Sequence, residues 1–362
     1  ICLLSPIFLD NSISSLTEPL NALLLSWMIL LAARSRWLGV AVLAGFLPFA
    51  RSEGFVILGV VCLFFLYRKA YKEILFMFMG PLIFNLMGWI IEGEIFWVIS
   101  QNPYLKFELS GENVCGHGSI IHYLRWGHIT FGFSVCLLLL YSLIPWFKQR
   151  RTAQLSIHLI YGIFLAYFIV HSMIWALGMM GSCGYIRVMV VIAPLAALIA
   201  LFGFNHLIDK IPQKWRFYLI LLFIINLCYT PFKYYSYKYP LTISQEQALY
   251  TKVDDWLKQE AYTDRCLVYM YPYLSVITNR DPWDRNEHEE LWQTSLPYYK
   301  KGSLLLWDAH FGANEAQIPL QSLLDNPDYK LLKSFIPKKP FKTLNDYDFE
   351  IYVFEKLTEP AG

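Results

Sequence analysis

Charged residues are scarce in this sequence. Only 16% of its 362 residues are Asp, Glu, Lys or Arg, whereas a soluble globular domain usually has about 25%. The deficit is uneven, because residues 1–230 are almost continuously apolar while residues 240–362 have the composition of an ordinary soluble domain. The sequence therefore predicts an integral membrane protein with a C-terminal soluble domain.

The motifs of several common protein classes are also missing. The formal net charge is +2 and there is no basic tract, so a nucleic-acid partner is not expected. None of the seven cysteines forms a CxxC pair, which argues against a zinc site of that type; no metal or cofactor is predicted. The sequence shows no P-loop, dinucleotide fingerprint or nucleophile elbow. Functional residues are therefore expected among the polar residues that interrupt the apolar segments.

Eight apolar segments are predicted to span the membrane, which takes about 20 residues per helix. They cover roughly residues 18–33, 37–50, 54–67, 74–91, 127–146, 155–177, 186–206 and 216–231. Every second connection is basic, with eleven Lys and Arg residues against four in the alternate connections. Cytoplasmic loops are enriched in Lys and Arg, so the basic connections are predicted to be cytoplasmic. The alternate connections, which include the loop 92–126, and the C-terminal domain are then predicted to be extracytoplasmic. The short loops favour a bacterial inner membrane.

The predicted fold is a polytopic helical bundle followed by a small α/β domain. The transmembrane helical domain covers residues 1–231 and the soluble extracytoplasmic domain residues 240–362. In the latter, residues 244–259 have helical spacing with an apolar face. Four apolar runs are predicted to be strands: residues 266–271, 303–308, 329–335 and 350–356.

The chain begins at Ile1, and its first residues lack the features of a signal peptide. They have the character of the end of an apolar segment. We therefore expect an N-terminal part, with an odd number of further spans, to be missing from this sequence.

The loop 92–126 is the longest polar interruption of the first 230 residues. Long structured loops are often functional, and this one has too many aromatic residues to be disordered. Gly116 and Gly118 indicate a tight turn that either exposes the imidazole of His117 or lets the backbone approach a ligand. His117 and Arg125 are candidates for substrate binding, although a solvated loop explains them equally well. The spacing of the histidines matches no common metal site.

Four other polar residues stand at the predicted outer ends of apolar segments. Glu18, after a potential N-cap at Thr17, either complements the helix dipole or faces a site at the outer surface. Arg51 and Glu53 form either an ordinary ion-paired turn or a site in which Arg51 binds a lipid-linked phosphate. Arg187 either snorkels to the interface or binds phosphate.

Two further features are left open by the sequence. Cys115 and Cys183 are predicted on the same side of the membrane, so a disulfide between them is one alternative. In the soluble domain, Asp308, His310 and Glu315 follow a predicted strand. An ordinary polar loop is the favoured interpretation of these three residues, and a second site is the alternative.

Three short motifs lie at the predicted outer ends of the apolar segments: Thr17-Glu18-Pro19, Arg51-x-Glu53-Gly54, and Arg187 followed by Pro194. Together they resemble the GT-C superfamily of integral-membrane glycosyltransferases, which includes dolichyl-phosphate-mannose-type mannosyltransferases. The long outer loop and the C-terminal domain are also similar to bacterial members.

The resemblance implies an inverting hexosyltransferase. It would move a mannose-like sugar from a polyprenyl-phosphate donor to a glycan, lipid or protein acceptor at the extracytoplasmic face, without a cofactor. An acid acts as general base, and basic residues hold the departing phosphate. The family's catalytic acid usually lies in the first outer loop, which is expected to be missing here, so the catalytic residue is unassigned and Glu18 is the remaining candidate. The residues assigned to donor-phosphate or substrate binding are Arg51, Glu53, His117, Arg125 and Arg187.

Two other functions compete with this interpretation. A transporter or flippase usually places ionisable residues inside its spans, and here the spans hold almost none. A non-enzymatic membrane-anchored binding protein would present the C-terminal domain, for which eight spans are excessive.

Overall fold

A computed structural model describes residues 1–12, 16–101, 115–149, 154–234, 243–260, 262 and 264–360. The chain divides into two compact units, Ile1–Tyr237 and Lys238–Gly362. Each unit has its own apolar core.

Helices build the first unit. The longer ones are α2 (Glu18–Ala33), α3 (Trp37–Ala50), α4 (Gly54–Tyr67), α6 (Met79–Glu92), α10 (Phe133–Gln149), α11 (Leu155–Leu177), α12 (Ala193–Ile208) and α13 (Gln213–Tyr234). The shorter ones are α1 (Pro6–Ser12), α5 (Tyr71–Met77), α7 (Trp97–Ser100), α8 (His122–Arg125) and α9 (Gly127–Thr130). Short 3-10 segments cover Cys2–Leu4 and Ile186–Ile192.

Four helical stretches are long and apolar enough to cross a membrane: Tyr71–Glu92, Leu155–Leu177, Ile186–Ile208 and Gln213–Tyr234. Four shorter apolar helices cover Glu18–Ala33, Trp37–Ala50, Gly54–Tyr67 and Phe133–Lys148. The eight predicted segments are thus helical over most of their length, but only four of them meet the length criterion. The other four spans stay a prediction.

The surface of this unit carries many large apolar side chains. Helices α6 and α13 leave such residues strongly exposed, for example Ile90 and Phe232. Soluble monomers rarely expose contiguous apolar patches of more than a few hundred Å². The exposed apolar faces therefore fit contact with lipid, and the unit is membrane-embedded.

Small residues let the helices of the core approach closely. A Cβ on Gly45 would lie 2.2 Å from the carbonyl oxygen of Met77, and a Cβ on Gly80 would lie 2.0 Å from that of Gly45. Helix α3 therefore packs backbone to backbone against the α5–α6 junction, a common arrangement in membrane bundles.

The second unit is a five-stranded mixed sheet with flanking helices. The strands are β1 (Leu267–Tyr269), β2 (His288–Glu290), β3 (Leu304–Asp308), β4 (Tyr329–Phe335) and β5 (Ile351–Lys356), in the order β2-β1-β3-β5-β4. The helices are α14 (Gln245–Gln259), α15 (Tyr273–Thr278), α16 (Phe311–Asn314) and α17 (Leu320–Leu324). The four predicted strands are confirmed, with slightly different limits. Strand β2 was not predicted, because its sequence His-Glu-Glu carries no apolar pattern.

Candidate functional site

Glu18 lies at the centre of a cluster of charged side chains in the first unit. It is the first residue of α2 and is 0% exposed. One carboxylate oxygen lies 3.0 Å from Nη1 of Arg51, and the other lies 3.5 Å from Nε of Arg187. Neither oxygen has a well-directed hydrogen bond from any residue that the structure describes. The fold thus joins three residues distant in sequence through the charge of Glu18.

Arg51 is fixed from several sides. Its Nε and Nη2 donate to the two carboxylate oxygens of Glu53, at 2.9 and 2.6 Å, and Nη1 donates to Oγ1 of Thr17 at 3.0 Å. Burial raises the pKa of the Glu53 carboxyl, but the hydrogen bonds and charge of Arg51 outweigh this and hold that pKa below its usual value. Thr17, predicted as a helix cap, makes no capping hydrogen bond. Its hydroxyl accepts from Arg51 instead.

The turn that carries Arg51 and Glu53 depends on Gly54. A Cβ at this position would lie 2.4 Å from the carbonyl carbon of Leu47. Helix α4 can therefore begin directly against the end of α3 only when residue 54 has no side chain. This close packing is the physical reason for glycine after Arg51-x-Glu53.

Arg187 is less constrained than Arg51. It lies in the 3-10 segment Ile186–Ile192, its side chain is 44% exposed, and its guanidinium carbon sits 4.8 Å from the ring centroid of Tyr185. Its shortest contact with Glu18, through Nε, is 3.5 Å, whereas Nη1 of Arg51 lies 3.0 Å from that carboxylate. Arg187 is therefore held more loosely than Arg51, which also donates hydrogen bonds to Glu53 and Thr17.

A cavity of about 520 Å³ lies beside these arginines. Arg51, Glu53 and Arg187 line it together with apolar side chains of α4 and α11, such as Val56 and Ile174. Its walls therefore combine guanidinium donors with hydrocarbon, which suits an anion attached to an apolar chain.

A second cavity, of about 320 Å³, shares Arg51, Ser52 and Glu53 with the first. Its other walls include Trp97 from α7 and Thr17 from the start of α2. The Arg51–Glu53 turn therefore separates two neighbouring cavities.

The described parts of the loop 92–126 meet the segment before Arg187. A disulfide joins Cys115 to Cys183, with the Cα atoms 5.0 Å apart, which confirms the pairing that the sequence left open. Nearby, a ring nitrogen of His122 lies 2.8 Å from the carbonyl oxygen of Gly184. The middle of the loop, residues 102–114, lies outside the described residues.

Gly118 has a packing role in this region. A Cβ on Gly118 would lie 2.1 Å from the indole nitrogen of Trp175, and Gly184 packs on the same indole, where a Cβ would approach to 2.7 Å. The ring of Trp175 is thus held between two backbone segments. This contact accounts for the glycine at position 118 without a ligand.

His117 and Arg125 do not join the charged cluster. Both side chains are exposed, and neither lines the two cavities. The structure therefore brings Arg51, Glu53 and Arg187 together but leaves these two candidates apart.

Two buried tyrosines support the site and were not found from the sequence. Tyr167 in α11 donates a hydrogen bond to the carbonyl oxygen of Val188 at 3.0 Å, which ties α11 to the segment of Arg187. Tyr123 is fully buried near Ser182, and burial raises the pKa of its phenol to about 12. Aromatic residues are abundant in the chain, 17% of the total, so these two carry no distinguishing signal.

The polar residues after strand β3 form a structural tie. Asp308 is buried and accepts hydrogen bonds from the hydroxyl of Tyr250 and from the backbone N–H groups of His310 and Phe311. His310 in turn contacts the carboxylate of Glu246 at the start of α14, at 3.2 Å. These contacts hold α14 against the end of β3. They agree with the interpretation of these residues as an ordinary polar loop. Within the described ranges no three His, Cys, Asp or Glu residues are grouped to hold a metal ion.

Comparison with protein-family models, with curated proteins and with solved structures gives no match for this chain. The two cavities and the charged side chains that line them are therefore the features that bear on function.

Proposed function

We propose that this protein is a membrane glycosyltransferase that takes a sugar, mannose-like in our interpretation, from a polyprenyl-phosphate donor. The observation that carries the proposal is the larger cavity, in which a half-exposed guanidinium borders an apolar wall. A polyprenyl phosphate is complementary to both, because it has an anionic group for the guanidinium and a hydrocarbon chain for the apolar wall. Arg187 would hold the phosphate as it departs from the sugar, and apolar residues of α4 and α11 would contact the first isoprene units.

Within this proposal Glu18 positions the arginines and is not the base. It has no exposed surface, and neither cavity is lined by it. A base must come within hydrogen-bond reach of the acceptor hydroxyl, which a buried carboxylate between two guanidiniums does not do. Glu18 instead lets two cations lie close together by offsetting their repulsion.

The Cys115–Cys183 disulfide supports the proposed orientation. Disulfides persist in oxidising compartments such as the bacterial periplasm, and both cysteines belong to connections predicted to be extracytoplasmic. The bond also requires an even number of membrane crossings between residues 115 and 183, in agreement with the two apolar helices α10 and α11. We therefore propose eight spans in a bacterial inner membrane, with the site and the C-terminal domain on the outer side.

A lipid-phosphate flippase is the second candidate. His171 favours it, because this buried residue of α11 lines the larger cavity and its Nε2 has no hydrogen-bond partner among the residues that the structure describes. Ionisable groups within spans often mark transport pathways. Recognition of the phosphate would be the same in both cases, and only the fate of the sugar differs.

The test uses the protein expressed from its complete natural gene and purified in lipid nanodiscs, with undecaprenyl-phosphate [³H]mannose as donor and a bacterial membrane extract as acceptor source. Wild type should release undecaprenyl phosphate and label an acceptor. Arg187→Ala should lower the rate by about 100-fold, the usual effect of removing one donor to a developing anion. Arg187→Lys should retain part of the rate.

Arg125→Ala is the matched control, since it removes an exposed arginine that lines neither cavity; its rate should equal that of wild type. Binding of the donor without release of sugar, together with its movement between leaflets of liposomes, would replace the transferase by the flippase.

A further inference from the structure

The smaller cavity has the size and chemistry of a binding site. Small-molecule sites usually enclose about 300–1,000 Å³, and this cavity, at about 320 Å³, falls within that range. Its lining mixes aromatic rings, Trp97 and Phe49, with the hydroxyls of Thr17 and Ser52 and the amide of Gln101. A pyranose ring presents a C–H face and several hydroxyl groups. The cavity offers a surface for each.

The aromatic wall of this cavity is held in place by α6. A Cβ on Gly88 would lie 2.2 Å from the Cβ of Trp97, so the two residues are in direct contact. The side-chain oxygen of Asn85, one turn earlier, accepts a hydrogen bond from the backbone N–H of Val98 at 3.1 Å. Helix α7 is therefore fixed against α6, and a site fixed before binding loses less entropy when a ligand arrives.

The position of this cavity matters as much as its lining. The Arg51–Glu53 turn, Phe55 and Val98 border both cavities, so a ligand in the smaller cavity adjoins the cavity that the guanidinium of Arg187 lines. Transfer of a sugar needs donor and acceptor in adjoining sites. The larger cavity has the apolar wall that a lipid needs, and the smaller one has hydrogen-bonding groups and aromatic rings.

We infer that the smaller cavity is the acceptor subsite and that it binds a pyranose unit, with Trp97 as the platform for the sugar ring. This inference rests on the proposed transferase function, since it names the acceptor as a carbohydrate. It adds that the first part of the loop 92–126 contributes to acceptor recognition. Gln101 and Ser52 then contact hydroxyl groups at the edge of the ring.

Saturation-transfer NMR on the protein in nanodiscs tests the subsite without any transfer reaction. The probes are methyl α-mannoside, methyl α-glucoside, methyl β-galactoside and methyl N-acetyl-β-glucosaminide. Wild type should transfer saturation to the ring protons of at least one of them. Trp97→Ala should reduce that signal at least fivefold, and Trp97→Phe should keep most of it because an aromatic face remains.

Two further variants keep the test independent of folding. Trp283→Ala removes a tryptophan that is 89% exposed in the second unit and should leave the signal unchanged. Gln101→Ala removes an amide that lines the cavity and also bonds Glu94 at 3.4 Å, and it should weaken the signal. Absence of any signal in wild type, or an unchanged signal in Trp97→Ala, overturns the subsite.

Kinetics separate this inference from the proposed function. With the glycoside that binds as acceptor, Trp97→Ala should raise the acceptor KM at least fivefold and leave the donor KM unchanged. If the glycoside binds at Trp97 and no sugar is transferred, the subsite stands and the transferase fails. If transfer occurs with an unchanged acceptor KM in Trp97→Ala, the transferase stands and the subsite fails.

Discussion

Glu18 in the membrane unit and Asp308 in the C-terminal unit are both buried carboxylates, but their partners differ. Asp308 accepts three directed hydrogen bonds, from the Tyr250 hydroxyl and two backbone N–H groups. Glu18 has the charges of Arg51 and Arg187 nearby and no directed hydrogen bond within the described chain. Buried polar groups are nearly always hydrogen-bonded, so Asp308 is the ordinary case and Glu18 is the exception.

The two carboxylates also differ in the parts of the molecule to which their partners belong. The partners of Asp308 belong to α14 and to the turn that follows β3, and bonding to them holds α14 against the end of that strand. The partners of Glu18 are cations that line a cavity. A carboxylate whose hydrogen bonds are all made within the fold stabilises that fold, whereas one that holds cations at a cavity wall prepares a place for an anion.

The largest expected effect comes from Glu18→Ala. It leaves Arg51 and Arg187 facing each other without the central anion, and breaking one side of a buried ion pair usually costs about 3–5 kcal/mol. We expect thermal unfolding in nanodiscs to shift to markedly lower temperature and donor binding to be lost. Glu18→Gln keeps the shape and should recover part of the stability. Equal stability of wild type and Glu18→Ala would contradict the role of Glu18 as the organiser of the cluster.

Asp308→Ala should have a somewhat smaller effect, confined to the C-terminal unit. It leaves the buried hydroxyl of Tyr250 and two partly buried backbone N–H groups without their acceptor, and an unsatisfied buried group costs about 1–3 kcal/mol. Hydrogen exchange measured with both units present should show faster exchange in β3 and α14. Tyr250→Phe removes one donor and should cost less. Loss of donor binding in Asp308→Ala would contradict the claim that Asp308 stabilises only its own unit, whereas Glu18 organises the donor site.

Gly54→Ala sharpens the contrast at the membrane cluster. Its new methyl group would meet the backbone of Leu47 at 2.4 Å, and overpacking of this kind usually costs about 1–3 kcal/mol. We expect lower thermal stability and weaker donor binding, because the Arg51–Glu53 turn is displaced. Gly59→Ala in the same helix is the control, since its Cβ meets nothing within 4 Å. If both variants behave alike, the close contact at Gly54 does not matter.

The smallest effect is the pH dependence of the C-terminal unit. Burial raises the pKa of Asp308 from 3.8 to about 6, so stability falls as the pH rises through that range. The hydrogen bond and charge of Glu246 raise the pKa of His310, and the stability from its protonated form is present below 6.5 and lost as the pH rises through the raised value. Hydrogen exchange in β3 and β5, corrected for intrinsic rates, should show a less stable unit at pH 8 than at pH 5.

His310→Gln provides the control for this dependence. It should flatten the loss of stability above pH 6.5 and leave the contribution of Asp308. Higher stability of the wild-type unit at pH 8 than at pH 5 would show that the ionised form of Asp308 is not penalised by its surroundings.

Much of the fold follows from the sequence, since hydropathy alone marks each long helix of the first unit. The members of the charged cluster were also found singly, because polar residues at the ends of apolar segments are conspicuous. Their meeting was not predictable, since it depends on how the segment Ile186–Ile192 packs against α2. The expected helix cap at Thr17 is absent, because its hydroxyl accepts a hydrogen bond from Arg51 instead. Strand β2 was missed because its pairing with β1 depends on the tertiary fold and not on an apolar pattern in its own residues.

Trp97 shows why the smaller cavity escaped detection. Twelve tryptophans occur in the chain, and nothing in the local pattern separates this one from those that face lipid. Its position depends on tertiary packing, because it lies against Gly88 of α6 and lines the smaller cavity together with the Arg51–Glu53 turn.

The Cys115–Cys183 bond bears on how the chain is assembled. Its two cysteines are 68 residues apart, and α10 and α11 lie between them. If both helices cross the bilayer, the two thiols reach the same oxidising compartment only after the second helix has been inserted. Formation of the disulfide would then indicate that both helices have been inserted. A difference in gel mobility between reduced and non-reduced samples would measure this step of membrane insertion without any assay of function.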